Sequence, residues 1–155
     1  MSSVILPGSY DPVTLGHLEI IRRAAEKYDE VYVVAFINPD KKYTFTLDER
    51  VKMLMLATDG LDNVLVSYST GRVVDYMREH GIEKIVKGYR NDVDLAYERM
   101  QAEYNLKEGG YETELWLAGE SMKSISSTEA REKINRGEEL CGILPEKVIS
   151  FINNH

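Results

Sequence analysis

Seven consecutive apolar residues, Val31-Tyr32-Val33-Val34-Ala35-Phe36-Ile37, constrain this chain more than any other stretch. A strand shows alternate side chains to opposite faces, so one that is apolar throughout needs cover on both. Such a strand belongs inside a parallel sheet. Shorter runs precede and follow it: Val4-Ile5-Leu6, Val64-Leu65-Val66, Lys84-Ile85-Val86 and Glu114-Leu115-Trp116-Leu117. Between them apolar residues recur at helical spacing, at 18, 21, 25 and 28, at 47, 51 and 54 with Thr58 continuing the row, and at 93, 97, 100 and 104. Alternating strands and helices imply right-handed crossovers, with helices on both faces of one sheet. The expected fold is α/β: a five-stranded parallel sheet in a single domain over 1–155. Its C-terminal helical segment starts at about 126 and ends in a helix over about Pro145 to Asn153.

Composition narrows the function. The 155 residues, 43% hydrophobic, can bury a core. Acidic residues number 26 against 19 basic, a formal net charge of −7, which argues against nucleic acid as a partner. The single cysteine, Cys141, forms no disulfide within the chain and fits a reducing cytoplasm. No apolar stretch approaches the ~20 residues of a membrane span, and the N-terminus has no basic leader, so neither membrane nor export is expected.

In open parallel sheets, ligands bind beyond the carboxyl ends of the strands. The first such loop is Pro7-Gly8-Ser9-Tyr10-Asp11-Pro12-Val13-Thr14-Leu15-Gly16-His17. Thr14 can cap the following helix, whose first-turn N–H groups form an anion site, and His17 can donate to a phosphate oxygen there. The residues alone equally allow a capped helix with a histidine on its edge. The loop matches neither the Walker pattern nor Gly-x-Gly-x-x-Gly. After the second strand, Lys41 and Lys42 are surface lysines or phosphate ligands, and Thr46 with Glu49 forms a capping box. After the fourth, Gly88 permits close backbone approach and Arg90 offers a fork to phosphate. Asn91 and Asp92 can cap the next helix. Its apolar stripe is Val93, Tyr97, Met100 and Tyr104, and its polar line of Glu98, Gln101 and Asn105 reads as a solvated flank. Ser126 with Glu129 makes a second capping box, with Ile125 and Ala130 as its hydrophobic staple. Three consecutive hydroxyls and Arg131 at that helix start suit the β- and γ-phosphates of a nucleotide.

Together these segments resemble a known family. Thr14-Leu15-Gly16-His17 is similar to the T/H-x-G-H signature of nucleotidyltransferases. Pro7-Gly8-Ser9-Tyr10-Asp11-Pro12 resembles the PG(S/T)FDP loop of the phosphopantetheine adenylyltransferases. Thr70 to Tyr76 resembles their GLLVDYAR segment with Arg72 in place of Leu. Lys87-Gly88-Tyr89-Arg90 resembles RGLR with Lys and Tyr replacing Arg and Leu. Tyr97 to Asn105 resembles YExQMAxxN, and Ile125-Ser126-Ser127-Thr128 resembles ISSS/T. The resemblance implies a Rossmann-like fold that transfers AMP from ATP to 4′-phosphopantetheine. It implies His17 as transition-state stabiliser, with Lys41 and Arg90 also catalytic. Ser9, Tyr10, His17, Gly88, Tyr89, Arg90, Glu98, Met122, Lys123, Ser124, Ile125, Ser126, Ser127 and Thr128 would bind ATP. Ser9, Lys41, Val73, Lys87 and Asn105 would bind phosphopantetheine. Mg²⁺ would be held mainly by nucleotide and water, without a protein metal site. A homohexamer is a further family expectation. The same motifs keep open a relative acting on nicotinate mononucleotide or using CTP, and a nucleotide-binding domain without turnover.

Overall fold

The computed structural model describes residues 2–154. In chain order the elements are β1 (Ser3–Gly8), α1 (Leu15–Lys27), β2 (Glu30–Phe36), α2 (Leu47–Ala57), β3 (Val64–Ser69), α3 (Val73–His80), β4 (Lys84–Tyr89), α4 (Asp92–Gly109) and β5 (Thr113–Leu117). A 3-10 turn (Glu120–Met122), α5 (Ser127–Arg136) and α6 (Glu146–Asn153) complete it. All strands run parallel in the order β3-β2-β1-β4-β5.

The apolar run of β2 is internal as expected, but the middle of the sheet is β1, whose Val4, Ile5 and Leu6 are all buried. The pleat divides these residues between two cores. Val4, Leu6, Val31, Val33 and Ala35 face one side, with Ile21 of α1, Leu54 of α2 and Val148 of α6. Ile5, Val34 and Ile85 face the other, with Tyr76 and Met77 of α3. Caps fix the helix starts. Thr46 and Glu49 form the reciprocal capping box, and Asn91 and Ser126 each accept an N–H from the third residue of the helix that follows.

Helix α4 inverts the sequence expectation. Val93, Tyr97, Met100 and Tyr104 are exposed, whereas Glu98 and Asn105 are buried. Both stripes have helical period, so periodicity alone does not say which one turns inward. At the sheet's other face, Glu114 of β5 accepts hydrogen bonds from Tyr28, Lys27, Lys84 and the Trp116 indole. Burial works against its charge, yet these donors prevail and hold the carboxyl down at about 2. No described helix is long and apolar enough to cross a membrane.

Candidate functional site

The chain moves outward from β1 to β2 and β3, then returns to β4 on β1's other side. Between β1 and β4 the sheet therefore has its topological switch point, and a crevice opens beyond their carboxyl ends. A cleft of about 410 Å³ lies there. Its walls include the β1 loop, the first turn of α1, the end of β4, the inward face of α4 and the start of α5.

His17 occupies the third position of α1. Thr14 Oγ1 accepts the His17 N–H at 3.3 Å, and the imidazole Nδ1 accepts the Thr14 N–H at 3.0 Å. An amide nitrogen can only donate, so Nδ1 is the unprotonated nitrogen and the ring proton resides on Nε2. Burial, with the positive charges of Lys87 and Arg90 beside it, lowers the imidazole to about 4. His17 is thus a neutral Nε2–H donor, held edge-on to the Tyr10 ring at 5.0 Å between centroids.

The cations of the cleft differ in how they are partnered. Lys87 donates to the Pro7 carbonyl at 3.0 Å and lies 3.3 Å from Glu98 Oε2. That carboxylate oxygen is buried and has no hydrogen-bond partner among the described residues. Arg90 grips Asp94 through Nε at 2.9 Å and a terminal nitrogen at 3.4 Å. Its other terminal nitrogen stays available, so Asp94 aims the fork. Lys41 reaches the Ser9 hydroxyl at 3.4 Å. Arg131 donates to the Asp11 carbonyl at 2.8 Å and to Thr128 Oγ1 at 3.1 Å.

Most of the residues singled out by sequence converge on this cleft. Ser9, Tyr10, His17, Lys41, Lys87, Gly88, Tyr89, Arg90 and Glu98 line it, as do Met122, Ile125, Ser126, Ser127 and Thr128. Lys123, Ser124, Val73 and Asn105 do not. Lys123 pairs with Glu120 at 2.8 Å, Ser124 is exposed, Val73 opens α3, and Asn105 is buried on α4.

Two side chains and one glycine have structural roles beyond those read from sequence. The Tyr10 hydroxyl donates to the Leu6 carbonyl at 2.8 Å, and burial and the negative charge of Glu98 raise its pKa, so the phenol braces the loop and its ring supports His17. The Ser127 hydroxyl donates to the Pro12 carbonyl at 2.8 Å, which leaves it no proton for a phosphate. Ser126 and Thr128 only accept in their contacts, from the Glu129 N–H and from Arg131, and so keep theirs. Gly88 answers to packing: a Cβ there would stand 2.8 Å from Ile20 Cγ1 of α1. Asp94 and Arg50 carried no sequence role. A carboxylate four residues after an arginine was a readable signal for the first.

Comparisons with known proteins identify the family and the fold. Residues 5–133 match the cytidylyltransferase-like family model. The chain is 39% identical over 155 residues to a phosphopantetheine adenylyltransferase of Clostridium novyi (strain NT), covering 99% of this chain and 96% of that one. The crystal structure of a putative nicotinate-nucleotide adenylyltransferase from Vibrio parahaemolyticus superposes with a TM-score of 0.72 over 99% of this chain and 93% of the other, at 16% identity. That last likeness speaks to the fold.

Proposed function

The chain belongs to the cytidylyltransferase-like family and within it to the phosphopantetheine adenylyltransferases, and on that premise we propose how its cleft transfers AMP from ATP to 4′-phosphopantetheine. The acceptor's phosphate oxygen attacks the α-phosphorus in line. One P–O bond forms, the α–β bridge breaks, and dephospho-coenzyme A and pyrophosphate leave. No side chain acts as nucleophile, so catalysis is orientation and charge stabilisation.

The observation that carries this reading is the neutral, Nε2-protonated His17 in the first turn of α1, within the field of Lys87 and Arg90. Its proton meets the charge that grows on the α-phosphate. Ser9, Lys41 and Lys87 hold the acceptor phosphate. Arg90, Ser126, Thr128 and the N–H groups at the start of α5 hold the β- and γ-phosphates. Glu98 Oε2, ion-paired with Lys87 but accepting no hydrogen bond among the described residues, is an acceptor suited to a ribose hydroxyl. The pantetheine arm is assigned to Val73 and Asn105. A divalent ion would be held mainly by the oxygens of the nucleotide and by water. We assign this role to Mg²⁺, which when bound draws charge off the leaving pyrophosphate.

We place the enzyme in the cytoplasm, where ATP and a lone reduced cysteine both belong. Homohexamer formation is proposed on the exposed apolar face of α4, where Val93 is 80% and Met100 61% exposed. Light scattering that returns six times the 17.7 kDa chain mass would support it.

The first test is pyrophosphate release with ATP and Mg²⁺, offering 4′-phosphopantetheine and nicotinate mononucleotide in parallel. Release with phosphopantetheine alone is expected, and release only with the mononucleotide would overturn the reading. His17→Ala should then lower kcat by about 10²–10³ with ATP binding retained.

A further inference from the structure

Arg50 is 2% exposed, on the inward face of α2 with Met53, Leu54 and Ala57. It forms no ion pair with any described carboxylate. One terminal nitrogen donates to the Ser9 carbonyl at 2.8 Å, and the guanidinium lies 4.0 Å above the Tyr43 ring. Its Nε is buried without a hydrogen-bond partner. A guanidinium remains charged at any physiological pH, so this is a buried cation with no anion beside it. An apolar side chain of similar volume would serve the fold as well or better.

What Arg50 does hold is the loop after β1. Five carbonyls at the end of β1 and in that loop are capped by side chains: Leu6 by Tyr10, Pro7 by Lys87, Ser9 by Arg50, Asp11 by Arg131 and Pro12 by Ser127. These oxygens would otherwise present negative dipole ends to an incoming anion. At Ser9 two cations meet, Arg50 on the carbonyl and Lys41 on the hydroxyl. Lys41, like Arg50, has no described carboxylate partner, whereas Lys87 and Arg90 have Glu98 and Asp94. Arg131 also lacks a described carboxylate partner, but it is committed to the Asp11 carbonyl and Thr128, whereas two such cations meet on the single residue Ser9. Ser9 and Lys41 line the cleft and Arg50 does not.

We propose that Arg50 is a positioning residue for the acceptor phosphate. Through the Ser9 carbonyl it fixes the loop that presents Ser9 and Lys41, and its unpaired charge selects a dianionic phosphate monoester at that end of the cleft. The proposal rests on the adenylyltransferase reading above and assigns Arg50 to one of that enzyme's two substrates.

The test compares wild type with Arg50→Met, Arg50→Gln and Arg50→Lys in the full chain. KM is measured separately for ATP and for 4′-phosphopantetheine, alongside thermal unfolding. Arg50→Met should raise the acceptor KM by about tenfold or more, keep the ATP KM within about threefold, and leave Tm unchanged or higher. Arg50→Gln, which can bond the carbonyl without charge, should also raise the acceptor KM. Arg50→Lys should recover part of the loss. An unaltered acceptor KM in folded Arg50→Met would overturn the proposal, as would equal rises in both KM values. Should Arg50→Met not fold, the Gln and Lys pair decides: equal acceptor KM in the two variants refutes a role for charge. Failure of the underlying reading is distinguishable, since wild type would then release no pyrophosphate with phosphopantetheine.

Discussion

The protonation state of His17 is open to direct measurement, with pH as the perturbation. Burial and two neighbouring cations lower the imidazole from 6.5 to about 4. That lowering corresponds to about 3 kcal/mol. Because the unfolded chain binds this proton more readily, stability rises with pH between the two values. The fold has its full His17 contribution above about 6.5 and loses it progressively as pH falls toward 4. Nitrogen-15 NMR of labelled imidazoles reads both aspects, with a His17→Gln variant assigning the resonances among three histidines. His17 should show a protonated Nε2, a bare Nδ1 and no titration above pH 5. Protonation of Nδ1 would also break its bond from the Thr14 N–H, so urea unfolding should weaken by about one proton's slope below pH 6.5. A midpoint at or above 6.5, or a proton on Nδ1 at neutral pH, would refute the neutral-donor assignment and the geometry beneath it.

The hydroxyls at the start of α5 should separate by function. Thr128→Ala should weaken ATP binding about tenfold by removing a donor to phosphate, whereas Ser127→Ala should leave ATP affinity nearly unchanged and cost about 1 kcal/mol in denaturant unfolding. Glu114 should stabilise the fold above its unfolded value of 4.5 and lose that contribution as pH falls toward about 2. Glu114→Gln should therefore lower stability by about 2 kcal/mol at pH 7, with the deficit vanishing by pH 2 in thermal melts. An equal deficit at both pH values would show that packing rather than charge is responsible.

What the sequence disclosed, and what it withheld, follows from the range of each interaction. The apolar run of β2 announced a covered parallel strand because both faces of a pleat are written in consecutive residues. The caps at Thr14, Thr46 and Ser126 were equally readable, since donor and acceptor lie three positions apart. The candidate site was legible to the extent that the topology gathers strand ends at one switch point. What stayed hidden depends on partners distant in sequence. Ser127 looks like a phosphate ligand until Pro12, 115 residues earlier, takes its proton. Lys87 looks free until the loop carbonyl of Pro7 and the carboxylate of Glu98 come beside it. Helix α4 misled because its buried residues are polar, Glu98 at the cleft and Asn105 outside it, so hydrophobicity selects the wrong face. The same error hid Arg50, which shares the buried stripe of α2 with Leu54 and Ala57 at positions i, i+4 and i+7. A charge at a core-facing position of an otherwise ordinary amphipathic helix is expensive to keep, and Arg50 is kept there with its guanidinium on the carbonyl of Ser9, a residue that lines the cleft.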